Sequence, residues 1–467
     1  MATIPRLAHT LHKLRSPSCL VWMAVIAIAA LHYLTVWRCS VNVPYWDEWE
    51  NLGGGEQLPE HLSLTWLLTQ HNEHRILFTR LQTWILLQLD GWNIATQIRM
   101  NFALFLGMVG FLTWMVHRAA PSAPSWFLGL CFLSQVTDLA SENHLWGFQS
   151  QFHISLLGLM LTVVLMFSRH LGWGRLCVGL AILVFSIFSF SAALAGSAVI
   201  AGGFVGYRLL VWRDDRTRSL PKELCMISVT VLVWLMAVNF YLRDHARSGP
   251  AMMLPNDLIF WDYYVNLISL GFGFTRVAIV QSIVCASLVC GTAGIFTLCV
   301  LVKRTRAELS DGFLQLLVLL VTILAALASI GIGRAGYGVG MAKSSRYAEI
   351  AALVVPCTAA LWIGTSRYFR QTGLFISAVI VVIAAFGLRN NFRFTSDYPV
   401  IKRERQAGLR CVGETLLGRD VHGNCPGLYP APIGDRIRFA ESLGVSFIQR
   451  AKRRAEGKNR PEPVADH

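Results

Sequence analysis

Charged side chains are scarce in this chain. Asp, Glu, Lys and Arg make up 15% of the 467 residues, against about 25% in a soluble globular protein. So little charge cannot cover a water-soluble chain of this size. Acid is the scarcer sign: 27 Asp and Glu stand against 41 Lys and Arg, a formal net charge of +14. In a soluble protein that excess would point to nucleic acid. No RNA- or DNA-binding motif accompanies it, so nucleic acid is not an expected partner. The sequence has no internal repeat, which weakens the case for a transporter built from repeated halves. Its apolar stretches do not alternate with polar residues, which excludes a transmembrane β-barrel.

What the chain has instead is apolar length. It is 54% hydrophobic, with a mean hydropathy of +0.50. Its continuous apolar runs are about 16–22 residues long, which is what a helix needs to cross a bilayer. Runs at 18–37, 97–117, 126–140, 152–168, 176–192, 197–212, 223–241, 277–302, 313–332, 348–364 and 373–388 predict an all-α integral membrane protein of about eleven transmembrane helices, with the membrane module at 1–388. The first run, Cys19 to Trp37, follows Arg6, Lys13 and Arg15 as a signal peptide would. It is long, and no small-residue cleavage site follows it, so a retained signal anchor is expected.

Basic residues set the orientation. With the N-terminus inside, the inner segments are 1–17, 118–125, 169–175, 213–222, 303–312 and 365–372, and every one carries Arg or Lys. That is the bias of short cytoplasmic loops. The outer segments are then the first loop at 38–96, Ser141–His153, 242–276 and 333–347. An odd number of spans also sends the tail outside, with an extracytoplasmic segment at 389–450 and a disordered basic end at 451–467. A helix is expected over Arg436–Ile448. Most of the 11 cysteines lie inside apolar runs and read as small buried hydrophobes. Cys411 and Cys425, in the polar tail, can pair if that tail lies in an oxidising compartment and stay reduced if it does not. A bacterial inner membrane is the expected home, with the N-terminus cytoplasmic and the active face periplasmic.

The outer loops concentrate reactive residue types. The first loop reads VPYWDEWENLGGGEQLPEHLSLTWLLTQHNEHRILFTR over Val43–Arg80. Asp47 and Glu48 sit side by side among Tyr45, Trp46 and Trp49, and His71, Glu73, His74 and Arg75 follow. Apolar residues at helical spacing in Leu62–Leu68 and Ile76–Leu89 predict two helices lying along the interface, with Trp66, Trp84 and Trp92 at headgroup depth. The second outer loop contributes His144, Gln149 and His153. The third, aromatic around FWDYY, predicts a segment skimming the membrane as a lid. The fourth, GRAGYGVGMAKSSRY, brings Arg334, Lys343, Arg346 and Tyr347, but lacks the spacing of a Walker A motif.

These parts suit one chemistry. A carboxylate among aromatics at the membrane surface can act as a general base, which makes Asp47 the candidate. Glu48 beside it would raise its basicity by like-charge repulsion or hydrogen-bond the acceptor. Lys343, Arg346 and Arg75 can hold a phosphate leaving group, and Tyr347, His71, Glu73, His74, His144 and Gln149 can contribute to binding. The plain alternative is a solvated loop whose charges only fix topology.

The plan resembles the GT-C superfamily of polyprenyl-phosphate-sugar-dependent glycosyltransferases, which includes protein O-mannosyltransferases and bacterial transferases that add aminoarabinose to lipid A. PYWDEW matches the position and type of that family's acidic first-loop motif, and HNEHR and KSSRY look like matching secondary elements. The resemblance covers residues 18–390 in architecture and only short motifs in sequence. It implies a GT-C-like bundle and a polyprenyl-phosphate-linked sugar donor. The acceptor would be a glycan, lipid or protein, with Asp47 as base and Glu48 as the alternative. A divalent metal ion serves some members. Here His71 and His74, three apart on an expected helix, are the candidate ligands, with His144, Glu48 and Glu73 as additions. The competing readings are a transporter or flippase of a lipid-linked sugar, a surface-polysaccharide polymerase or ligase, and a membrane scaffold.

Overall fold

The structure is a computed structural model. It describes residues 17–136, 138–243, 249–302, 309–365, 370–389, 397–420 and 422–457. The chain is helical almost throughout. Its helices are α1 (Pro17–Cys39), α2 (Leu64–Leu68), α3 (Leu77–Asp90), α4 (Ile94–Ala119), α5 (Ser125–Gln135), α6 (Ser150–Met166), α7 (Trp173–Ile187), α8 (Ala192–Asp214), α9 (Leu220–Leu242), α10 (Leu258–Leu270), α11 (Ile279–Leu301), α12 (Asp311–Arg334), α13 (Val354–Gly364), α14 (Arg370–Leu388), α15 (Asp397–Leu416), α16 (Gly434–Ser442) and α17 (Ser446–Ala455). The sheet among the described residues is one two-stranded hairpin, β1 (Gln70–His71) with β2 (His74–Arg75).

Nine helical segments among the described residues are long and apolar enough to cross a membrane, α13 counting together with the helical turns before it as Ser345–Gly364. The expected runs at 126–140 and 176–192 instead form α5, of 11 residues, and α7, of 15. At about 1.5 Å per residue, α5 rises only about 16 Å, roughly half of a hydrocarbon core. α5 packs closely on α1, because a side chain at Gly129 would collide with Val21.

Interhelical contacts sort the connections to two ends. At one end Leu77 N donates to Phe188 O (2.9 Å), Glu73 pairs with Arg334 (2.9 Å), and Asn143 donates to Arg346 O (3.0 Å). The segments around 45–56, 70–76, 141–149, 188–191 and 330–347 therefore meet there. At the other end Ser168 donates to Asp311 (3.0 Å), Arg218 to Arg169 O (3.0 Å), and Gly364 lies against Ala119 O. Near this second end Arg208 grips Glu223 with two bonds of 2.6 and 2.7 Å and donates a third to Ser168 O. A fully buried charge needs that degree of pairing.

The first loop folds into protein rather than onto a membrane surface. α2 and α3 form as expected, but Trp66 and Trp92 are buried. Trp66 donates to Glu56 O and Trp92 to the Gln97 side chain. These bonds turn the two indoles into the protein.

The C-terminal helices form a cap on the first loop. Trp46 N donates to Leu428 O (2.8 Å), Trp49 packs edge-on against Phe447, and Arg436 pairs with Glu50 (3.0 Å). Cys411 and Cys425 are disulfide-bonded. The helix expected over Arg436–Ile448 is broken at Gly444, whose φ of +67° suits glycine, giving α16 and α17. α17 runs through Ala451 to Ala455, so the chain is ordered beyond 450. Residues 458–467 lie outside the described residues.

Candidate functional site

The site begins with a 3-10 turn, Trp46–Leu52. Glu48, 1% exposed, receives Tyr45 N on one carboxylate oxygen (2.8 Å) and Phe148 N on the other (3.0 Å). It thus clamps the first loop to the 141–149 loop. Burial pushes its carboxyl up to about 7 against the pull of those backbone donors and of Arg405. Asp47, next in the turn, points the other way into a cavity of about 370 Å³. Adjacent carboxylates on one turn therefore have opposite jobs. Glu48 does not line the cavity.

The hairpin carries the rest of the first-loop cluster. His71 and His74 are cross-strand partners rather than residues on a helix. The turn at Asn72, with φ of +47°, reverses the chain, a role for which Asn is favoured. His71 Nδ1 lies 2.7 Å from Glu56 Oε2, and its Nε2 lies 3.8 Å from Asp47. The second contact is an ion pair longer than a hydrogen bond. Burial opposes a charged His71 ring, but Asp47 and Glu56 outweigh it and lift His71 to about 9. Arg80 closes the series on Glu56 at 2.5 Å. The result is a row of alternating charge, Asp47, His71, Glu56, Arg80, with only its first member in the cavity.

The cavity wall is polar on one side and aliphatic and aromatic on the other. Glu73, His74, Gln149, Arg334, Arg346 and Tyr347 line it with Asp47, together with Trp146, Phe190, Tyr241, Leu242 and Ile330. The His74 ring lies 4.9 Å from Phe190. Arg334 rests on Glu73 (2.9 Å) and Arg346 on Glu142 (3.1 Å). Among the described residues, the carbonyl oxygen of Gln149 and the Nε of Arg346 are buried without a hydrogen-bond partner. Buried polar atoms in proteins are nearly always satisfied, and these two lie on residues that line the same cavity.

Besides His71, three expected binding residues lie elsewhere. Arg75 spends its guanidinium on the carbonyls of Leu68, Tyr241 (3.1 Å) and Arg243 (2.7 Å), tying the hairpin to the end of α9. Lys343 donates to Asn266 O (2.7 Å) and Ser269 Oγ (2.6 Å) of α10, and burial lowers it to about 8. His144 is fully buried behind the wall. Neither Arg75 nor Lys343 lines the cavity. Among the described residues no three His, Cys, Asp or Glu side chains group as metal ligands. The hairpin separates the roles of His71 and His74, and His71 is engaged by carboxylates.

His144 belongs to a buried network that sequence reasoning did not assemble. Its Nδ1 lies 2.7 Å from the Tyr398 hydroxyl, which is also 2.5 Å from His32 Nε2. Its Nε2 sits 2.9 Å from Glu349 Oε1, off line for a hydrogen bond. Glu349 Oε2 accepts Asn143 (3.1 Å) and lies 2.6 Å from His153 Nε2. His153 Nδ1 ends the network at Asn101 (2.6 Å). These seven side chains lie one layer behind Arg346 and Tyr347. Their sequence separations hid the network, because His32, Asn101, Glu349 and Tyr398 lie far from the Asn143–His153 stretch. Glu142 and Glu56 are the other members missed, and Arg334, named with its loop, was not assigned to binding. The only signal for them was their presence in loops already marked by charge. Comparison with known protein families, curated proteins and solved structures finds no match to this chain.

Proposed function

We propose that this protein is a membrane glycosyltransferase that moves a sugar from a polyprenyl-phosphate carrier to a glycan, lipid or protein hydroxyl, with Asp47 as general base. The observation that carries the reading is one cavity holding a carboxylate, Asp47, and two guanidinium groups, Arg334 and Arg346, beside an apolar wall. The acceptor oxygen gives its proton to Asp47 and attacks the anomeric carbon, and the bond from that carbon to the phosphate oxygen breaks with inversion. The electron pair leaves on the phosphate, where Arg334 and Arg346 meet the developing charge. Their resting partners, Glu73 and Glu142, hold them in place until a phosphate takes over. His71, cationic and 3.8 Å from Asp47, orients the base.

In this reading about eleven segments cross the membrane, with α5 and α7 as the short ones. The loop-rich end faces the periplasm, as the basic loops at the opposite end require. The disulfide in the cap suits an oxidising compartment.

A second reading, a transporter of the lipid-linked sugar, is favoured by the buried His32, His144, His153 and Glu349, since ionisable groups inside spanning segments mark transport paths. A transfer assay in membranes with radiolabelled polyprenyl-phosphate sugars separates the two. Transfer by wild type that is lost in Asp47→Asn supports the enzyme. Equal transfer by both refutes Asp47 as base, and labelled lipid crossing the bilayer without transfer favours the transporter.

A further inference from the structure

The cap grips the turn that carries Asp47. Trp46, the residue before Asp47, has φ of +45°. That left-handed conformation is an outlier for a bulky side chain, and it persists only where the surroundings over-determine it. The Trp46 indole is 44% exposed, so side-chain burial supplies little of the hold. The backbone supplies it. Trp46 N donates to Leu428 O (2.8 Å), and Tyr45 N closes the turn on Glu48 Oε2 (2.8 Å).

Leu428 is itself fixed. Its N donates to Cys425 O (2.8 Å), and the disulfide joins Cys425 to Cys411 of α15. The Leu428 side chain is fully buried and meets α15 at Gly408, where an added methyl group would collide with it. Only glycine lets the leucine in that far.

The same cap holds the rest of the turn. Tyr429 donates its hydroxyl to one Glu50 oxygen, and Arg436 donates to the other (3.0 Å). Phe447 backs Trp49, and Arg405 of α15 lies over the Tyr45 ring. Tyr45, Trp46, Trp49 and Glu50 therefore meet the cap, Glu48 accepts Phe148 N, and Asp47 is left to the cavity.

We propose that the cap positions the Asp47 carboxylate, through the Leu428 carbonyl on Trp46 N and with Leu428 seated at Gly408, an inference that rests on Asp47 being the base. The backbone has only two soft dihedrals per residue, so a change of φ at Trp46 re-aims the side chain that follows it. A misplacement of about 1 Å costs about 100-fold in rate. Arg334 and Arg346, which meet the phosphate in the transferase reading, belong to another loop. Loss of the cap contact should therefore lower turnover and leave donor binding alone.

The test is steady-state transfer in membranes by full-length variants, with hydrogen exchange measured over residues 45–52 of each. Gly408→Ala should push Leu428 away, lower kcat about 10- to 100-fold at constant donor KM, and speed exchange over 45–52. Adding Leu428→Ala makes room for the methyl group and should recover most of kcat. Trp46→Val carries a β-branched side chain, which tolerates positive φ worst, whereas asparagine adopts it readily. Trp46→Asn should therefore exceed Trp46→Val in kcat by about tenfold or more, and this pair decides the matter if Gly408→Ala fails to fold. Full kcat in Gly408→Ala, a change in donor KM alone, or equal kcat for the two Trp46 variants would overturn the proposal. No transfer by wild type would refute the transferase reading instead. The hold of the cap is then judged by exchange alone: faster exchange over 45–52 in Gly408→Ala supports it, and unchanged exchange overturns it.

Discussion

Removing the Glu349 carboxylate is the sharpest stability perturbation available in this fold. Glu349 is 4% exposed and stands between His144 at 2.9 Å, His153 at 2.6 Å and Asn143 at 3.1 Å. Glu349→Ala leaves these buried polar groups facing a void. Breaking a buried ionic pair by deleting one partner costs about 3–5 kcal/mol. Glu349→Gln keeps the shape. Its amide oxygen can still face His153 and Asn143, so the loss is that of charge assistance, about 1–3 kcal/mol. Tyr398→Phe removes the hydroxyl that both His32 and His144 reach, for about 1–2 kcal/mol. The assay is thermal unfolding in detergent, followed by tryptophan emission. The expected order of melting temperature is wild type, Tyr398→Phe and Glu349→Gln close together, then Glu349→Ala. Because Tyr398 and Glu349 both touch His144, the Glu349→Gln, Tyr398→Phe double variant should depart from additivity by at least about 0.5 kcal/mol. A Glu349→Ala protein that melts with wild type, or strict additivity in the double variant, would refute the network as a cooperative unit.

Two further outcomes follow from the site. His71 is raised from 6.5 to about 9 in the folded protein, so its contribution is complete below about pH 6.5 and is lost as pH rises through 9. The loss is at most about 3 kcal/mol, read as a fall in unfolding free energy between pH 6.5 and 9.5 that His71→Gln flattens. Lys343→Met should lower melting temperature by leaving Asn266 O and Ser269 Oγ without their donor, yet leave the affinity for a phosphate-bearing donor unchanged. A rise in donor KM at constant stability would restore Lys343 as a ligand.

The spanning helices were legible because an apolar run of span length has few other uses. α5 was read too long because the apolar signal runs on past Gln135, while the chain leaves the helix there and Gln135 turns to bond Ala352 O. Asp47 was legible from its neighbours, but the division of labour with Glu48 was not. Successive side chains of a 3-10 turn diverge, and which one met Phe148 N depended on a loop one hundred residues away. HNEHR could be read as helix because a hairpin of two-residue strands leaves no periodicity to detect. Arg75 and Lys343 have the residue types of phosphate ligands, and nothing local reveals that backbone carbonyls and one serine hydroxyl hold them. The Glu349 network escaped for the opposite reason, since His32, Asn101 and Glu349 each read alone as an ordinary polar residue in an apolar segment, and nothing local joins them to His144 and His153.

The reach of Tyr398 into the bundle has a consequence for how the chain is made. Tyr398 leaves the ribosome after every one of the nine span-length helices, yet it supplies the hydroxyl that His32 in the first of them bonds. The first span and the 141–149 loop must therefore wait, with polar groups unanswered, until the cap is synthesised and folds back. Membrane insertion and final packing are separate events in this protein, and the interval between them is set by the time needed to translate more than 360 residues, the separation of His32 from Tyr398 being 366. A quality-control factor that recognises unsatisfied polar surface in a membrane would have that interval in which to act.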